Sequence, residues 1–338
     1  MKSFVGWICS GAFWGPMNKL PGLALAAGAA GLAYAVAGWL PQIKVGAVVW
    51  AIVLGVLAGN AMRPGERFSP GLKFCEKKVL EFAVVLLGAG LSLSSLGGFN
   101  AGAGMAILAA MAATLAMGPL AARAVKTAPT TGFLLGVGTA ICGSAAIAAV
   151  SPFVAKDRHE TALSIGIVNL AGFAAMLVLP FAARFLHLGL EGSALLLGGA
   201  LPAVGHAVGA GYAAGPEIGG LAIAVKMGRV LCLVPLVLAC SLWAPREAGK
   251  NSIWQVVPWF VPLFLLAVGL RSADLIPPGM RHAISISGKA ALTAAMAAIG
   301  FGVDLEAVRR HGPKALALGA ALLLFQVLAV GAAALLLS

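Results

Sequence analysis

Eleven apolar runs, at about 21–40, 44–61, 79–96, 101–120, 131–152, 162–183, 193–213, 219–243, 253–270, 283–301 and 315–337, take up most of this chain. Each is near the roughly 20 residues that a helix needs to cross a bilayer core. In hydrocarbon every backbone N–H and C=O must be bonded within the protein, so runs of this length and spacing read as helices. Only 10% of the 338 residues are charged and the mean hydropathy is +1.00, which makes a soluble domain implausible. The expected fold class is all-α: a polytopic helical membrane protein with about eleven transmembrane helices. They would form a single membrane transporter domain over 1–338, with residues 1–19 as a retained N-terminal tail.

A net charge of +12 would suggest nucleic acid in a soluble protein, but here the basic residues sit in short segments between apolar runs. They read as topology signals, and no nucleic-acid partner is expected. Alternating sides from a cytoplasmic N-terminus places fifteen of the 23 Lys and Arg inside and six outside, with Lys226 and Arg229 within a run. That bias predicts N-inside, C-outside. A second pattern agrees: the segment Gly88–Leu96 matches Gly300–Val308 at an offset of 212 residues. An odd number of crossings separates the copies, so 79–120 and 283–337 read as inverted-topology repeats, a feature of secondary transporters with a midplane site.

The most informative run is Gly132–Pro152, GFLLGVGTAICGSAAIAAVSP. Its centre, with Gly136, Gly138, Thr139, Cys142, Gly143 and Ser144, is a poor place for a regular helix. It predicts a helix that breaks and restarts at membrane depth, where irregular backbone is tolerated only beside a cavity. A half-helix N-terminus offers free N–H groups and a positive dipole end to an anion. The alternative is that the glycines only let two helices pack closely.

The run 219–243 carries Lys226 and Arg229 on one helical face, with no carboxylate within helical reach. Cations at a helix centre cost on the order of 2.5–3.5 kcal/mol each, so a pair usually marks a cavity or a ligand. A guanidinium fork with an ammonium beside it suits sulfate, phosphate or carboxylate. The alternative is that the span starts later and both side chains snorkel to the interface. All eleven acidic residues fall in loops or near span ends, so no carboxylate is offered at depth to a cation exchanger. His206, after Pro202 and Gly205, marks a second broken segment at 198–211. It would contact substrate, couple a proton, or simply pack. Asn169 reads as interhelical glue. The five cysteines form no C-x-x-C pair, and no hydrolase, metalloprotease or phosphate-loop motif appears. An enzyme is not expected, nor is a cofactor or a metal.

At Gly136–Pro152, which contains G-T-x-I-C-G-x-x-A-I-A-A, together with LLGAGLSL and VKMGRVLCLVP (Val225–Pro235), the chain resembles the bacterial sulfate exporter family. That family is grouped by fold with the sodium/proton antiporter and bile-acid symporter superfamily. The resemblance runs from about Leu20 to the C-terminus. It implies an inner-membrane, inverted-repeat transporter with a panel and a core, exporting a small oxyanion such as sulfate or a sulfonate, with a proton or sodium as candidate coupling ion. Fold analogy adds a homodimer. Carried onto this sequence, the family pattern puts the substrate site on Gly138, Thr139, Cys142, Gly143 and Ser144, with Lys226 and Arg229 as basic partners. One departure stands out: family members carry a His-Glu pair where this chain has Pro202 and Ala203, and His206 falls where they tend to have glutamine. Alternatives are a sodium- or proton-coupled carrier of an organic acid, or a channel-like membrane protein.

Overall fold

The computed structural model describes residues 19–39, 46–92, 101–243, 258–303 and 313–337, and within them the apolar runs are helical apart from breaks at 141–143, 201–203 and 232 and from run ends such as 89–92. Nearly all of the expected tail, and the later halves of both copies of the Gly88–Leu96 repeat, lie outside the described residues. The helices are α1 (Leu20–Trp39), α2 (Ala47–Met62) and α3, which runs Ser69–Phe74, a π-helical turn Cys75–Val79, then Leu80–Gly88. They continue as α4 (Ala101–Ala124), α5 (Pro129–Ala140), α6 (Ser144–Val154), α7 (Arg158–Phe185), α8 (Leu190–Ala200), α9 (Val204–Ala214) and α10 (Pro216–Leu231). The last four are α11 (Leu233–Trp243), α12 (Phe260–Ser272), α13 (Pro278–Phe301) and α14 (Pro313–Leu337).

Among the described residues, six helical stretches are long and apolar enough to cross a bilayer: Leu20–Trp39, Gly102–Ala124, His159–Phe185, Pro216–Cys240, Gly279–Phe301 and Lys314–Leu336. Their outer faces carry large apolar side chains in the open, including Phe181 at 70%, Phe185 at 82% and Leu336 at 87% exposure. Exposed aromatic and leucine side chains in this number are costly in water and favourable in lipid.

The chain divides into two compact units. The first comprises residues up to Leu80 together with Ala291–Val303. Its helices cross at glycine pairs: a Cβ on Gly22 would lie 2.2 Å from Phe68 O, and one on Gly55 would lie 2.3 Å from Ala297 O. Small residues at such crossings let backbones approach where no hydrophobic force separates helix from lipid. Asn60 ties the same crossing by donating to Val303 O at 2.9 Å.

The second unit, Glu81–Ala290 and Asp304 onward, holds the broken segments. Here the structure revises the reading of two of the eleven runs: neither crosses, because each turns back on itself. At the start of α5, Thr130 and Thr131 donate to Glu160 Oε1 at 2.5 and 2.7 Å, and the Lys156 N–H donates to Glu160 Oε2 at 2.8 Å. Two helices laid end to end over 129–154 would be nearly 40 Å long, so the first turn of α5 and the exit from α6 must lie at one face. At the other end of the hairpin, a Cβ on Gly138 would meet Ile147 at 2.7 Å, across the turn. The arms α8 and α9 form a second hairpin. Both flank Ala222 of α10, since a Cβ on Gly198 would lie 2.4 Å from Ala222 O and one on Gly211 would lie 3.1 Å from Ala222 Cβ.

Between the hairpins runs α7, 28 residues long, or about 42 Å at 1.5 Å per residue. Its N-terminus joins the mouth of the first hairpin and its C-terminus that of the second, so the two enter from opposite ends of α7. Arms of 11 or 12 residues reach about 16–18 Å, roughly half of a ~30 Å bilayer core. The tips therefore meet near the middle of α7, where Gly138 packs on Val168 and Pro202 on Gly172.

Candidate functional site

The two tips touch. Gly143 forms the first with φ 70° and ψ −132°, a conformation essentially restricted to glycine, and its amide donates back to Gly138 O at 2.8 Å. Leu201, Pro202 and Ala203 form the second. A Cβ on Gly143 would stand 3.3 Å from Ala203 Cβ. The meeting point therefore collects four helix ends: the C-termini of α5 and α8 and the N-termini of α6 and α9.

The C-terminal ends leave carbonyls that have no partner within their own helix. Gly198 O is one by necessity, because the residue four positions on is Pro202, which has no N–H. Lys226 and Arg229, on α10, fill this need. Arg229 Nε donates to Ala140 O at 3.0 Å, Nη1 to Gly198 O at 3.2 Å and Leu201 O at 3.0 Å, and Nη2 to Thr139 O at 2.8 Å and Ala140 O at 2.5 Å. Lys226 Nζ donates to Ile141 O at 2.7 Å and Leu201 O at 2.6 Å. Both are fully buried, at 1% and 0% exposure. Gln326 of α14 completes the support by donating to Gly199 O at 3.1 Å while accepting from Thr114 at 2.5 Å.

This geometry departs from the expectation that the basic pair faces a ligand. The cations face two helix C-termini, and the five hydrogen bonds of Arg229 match its five donors. Neither side chain snorkels. Gly138, Thr139 and Cys142 are likewise buried in the tip.

The N-terminal ends are different. Gly143 and Ala203 occupy the N-cap positions of α6 and α9, and neither offers a capping side chain. The Cys142 sulfur meets the Ala146 N–H. Ser144, Ala203 and Val204 are half-buried and Ala145 is exposed, so these amide ends are reachable where the cations are not. His206, in the first turn of α9, is 5% exposed, and its Nδ1 has no hydrogen-bond partner. Its ring lies against α7 only because residue 172 is glycine: a Cβ there would be 2.4 Å from Nδ1.

Residues 21–319 match the family described as conserved hypothetical protein 698. The chain belongs to that family. It is 33% identical over 299 residues to a UPF0324 membrane protein of Pseudomonas putida, covering 85% of this chain and 84% of that one. It is 34% identical over 310 residues to a UPF0324 membrane protein of Brucella melitensis, covering 87% and 84%. A UPF0324 membrane protein of Bacteroides thetaiotaomicron is 31% identical over 300 residues, covering 86% and 89%. No solved structure matches the chain. Like its relatives, this member of the family is a membrane protein.

Three contributors escape a reading of sequence alone: Glu160 with Thr130 and Thr131, which closes the first hairpin, Gly172, which admits His206, and Gln326. The first had a visible signal, since Asp157 followed three residues later by Glu160 is a helix start, confirmed by the Glu160 N–H donating to Asp157 Oδ1 at 2.7 Å.

Proposed function

We propose that this protein is a secondary transporter that carries a small oxyanion, of sulfate or sulfonate type, past the two hairpin tips by alternating access. One observation carries the reading: among the described residues the hydrogen bonds of two buried cations go to main-chain carbonyls and to no carboxylate, beside two helix N-termini whose N-cap residues offer no side chain. Each helix end contributes about half an elementary charge, so two N-termini and two C-termini cancel. The surplus is the charge of Lys226 and Arg229, which an anion of up to two charges would neutralise. The substrate is held by the N–H groups of Ser144 and Ala145 and of Val204–His206, and the basic pair acts on it through its field.

An inner-membrane location with a cytoplasmic N-terminus is supported by the charge map. Two hairpins instead of two crossings move Lys156 and Arg158 to the N-terminal side and Arg184 away from it, which strengthens the same bias. A homodimer is the form that fold analogy supports. An organic acid carried with sodium or a proton is the second reading, favoured by the same amide ends, which accept a carboxylate equally well. His206 is then the candidate coupling group.

The test is thermal stabilisation of purified protein by sulfate, sulfite, thiosulfate, phosphate and citrate, followed by counterflow in proteoliposomes. A ligand at a hundred times its dissociation constant stabilises the native state by about 2.7 kcal/mol. Saturable counterflow of the stabilising anion supports a carrier. Flux that stays linear with gradient points to a channel, and no response to any anion removes the reading.

A further inference from the structure

Three helix ends of the first unit meet at one place. Gly22, in the first turn of α1, and Gly71, in the first turn of α3, cross back to back: a Cβ on Gly22 would lie 2.2 Å from Phe68 O, and one on Gly71 would lie 2.2 Å from Lys19 O. The end of α2 reaches the same junction, since Arg63 is its left-handed C-cap at φ 42° and only residues 64–68 separate that cap from α3. Because α1 is long and apolar enough to cross a bilayer, its first turn, and the junction with it, stands at a membrane face.

This junction is basic. It gathers Lys19, Arg63, Arg67, Lys73, Lys77 and Lys78 against Glu66 and Glu76, a surplus of four positive charges. Arg67, Lys73 and Lys77 are exposed. Glu76 lies between the two lysines in sequence and interacts with both, but it carries one charge. The other side of α3 is turned inward, with Cys75 buried among Ala26 and Ala298 and with Leu72 and Val79 packed around them. Lys73 and Lys77 lie about 3 and 9 Å along α3 from the Gly71 crossing at 1.5 Å per residue, a depth from which lysines snorkel to the headgroups.

Beside the cations, Leu20 of α1 and Leu57 and Met62 of α2 are exposed. Membrane topology calls for basic residues on one side of the bilayer, but not for their convergence on one exposed surface above hydrocarbon. A soluble polyanion would match the charges and leave the apolar side chains bare. An anionic phospholipid matches both, with phosphate on the cations and acyl chains on the apolar face.

We propose that this surface is a binding site for an anionic phospholipid, with its headgroup phosphate on Arg67, Lys73 and Lys77 and its acyl chains along α1 and α2. The site belongs to the first unit and is independent of the anion reading at the tips.

The experiment titrates the detergent-purified full chain with phosphatidylglycerol, with phosphatidylcholine of the same acyl chains and with water-soluble glycerol 1-phosphate, and reads binding by native mass spectrometry. The proteins are the parent, Arg67→Gln, Lys73→Gln, Lys77→Gln, the triple variant and Arg123→Gln, which removes an exposed cation of the second unit. Lipid-free melting curves check that each folds. Phosphatidylglycerol should bind the parent about a hundredfold more tightly than phosphatidylcholine, each single variant of the cluster should give up about fivefold, and the triple variant nearly all of the preference. Arg123→Gln should keep it. The proposal is overturned if the parent binds both lipids alike, if the triple variant retains the preference, or if Arg123→Gln loses as much as a variant of the cluster. It is equally overturned if glycerol 1-phosphate competes as well as the lipid, the behaviour of a free-phosphate site.

Discussion

Replacing Arg229 by leucine separates a structural cation from a substrate ligand. The substitution removes all five hydrogen bonds of the guanidinium. Leu201 O retains Lys226 at 2.6 Å, but Thr139 O, Ala140 O and Gly198 O lose their side-chain donor. Each buried carbonyl left unsatisfied costs about 1–3 kcal/mol, so the three cost about 6 kcal/mol together. Relief from holding a cation at depth offsets roughly 3 kcal/mol of that, for a net loss of about 3 kcal/mol. At about 2–4 °C per kcal/mol, the melting temperature should fall by roughly 10 °C. The assay is thermal unfolding of detergent-purified protein followed by tryptophan fluorescence, with and without the stabilising anion. Arg229→Lys should fall between the two, because it keeps the charge and loses the fork. The reasoning is refuted if Arg229→Leu melts at the parent temperature or above while no anion stabilises it any longer. That outcome would make Arg229 a ligand and not a clamp on the hairpin tips.

Gly143→Ala should lower stability by about 1–3 kcal/mol, because alanine is strained at φ 70°, ψ −132°, and should depress counterflow further, because its Cβ pushes on Ala203; a melting curve with a transport assay reads both. Single cysteines placed at Lys126 and Lys156 in a cysteine-free background should react with a membrane-impermeant maleimide from the same face, and labelling from opposite faces would disprove the first hairpin. Glu160→Ala removes three hydrogen bonds that close that hairpin and should cost about 3 kcal/mol in chemical denaturation at about 1 kcal/mol per bond. Gly172→Ala should destabilise through its 2.4 Å encounter with His206 Nδ1, and a His206→Ala background should relieve most of that loss, a coupling that a double-mutant cycle measures.

Much of this architecture is legible in the residues. Apolar runs locate every helix within the described residues except the Ser69–Val79 start of α3, and Gly143 and Pro202 mark the two interruptions. What composition does not reveal is whether a helix interrupted at mid-depth continues across or returns. That depends on backbone geometry at one residue, Gly143, and on a contact between Thr130 and Glu160, 30 positions apart. The basic pair is visible for a related reason and misread for the same one. Two cations within an apolar run must have partners, but a sequence displays side-chain partners only, and those of Lys226 and Arg229 are main-chain carbonyls.

Among the described residues no carboxylate bonds the cations at the tips, which, for the proposed carriage of an anion, has an electrical consequence. Empty, the site carries the two charges of Lys226 and Arg229, and with a divalent anion bound it is neutral. A membrane potential then acts little on the loaded state and strongly on the empty one, by up to about 4.6 kcal/mol per 100 mV if both charges traverse the whole field. If the protein exports a dianion as proposed, a negative cell interior would pull the vacant site back toward the cytoplasm and so set the pace of turnover.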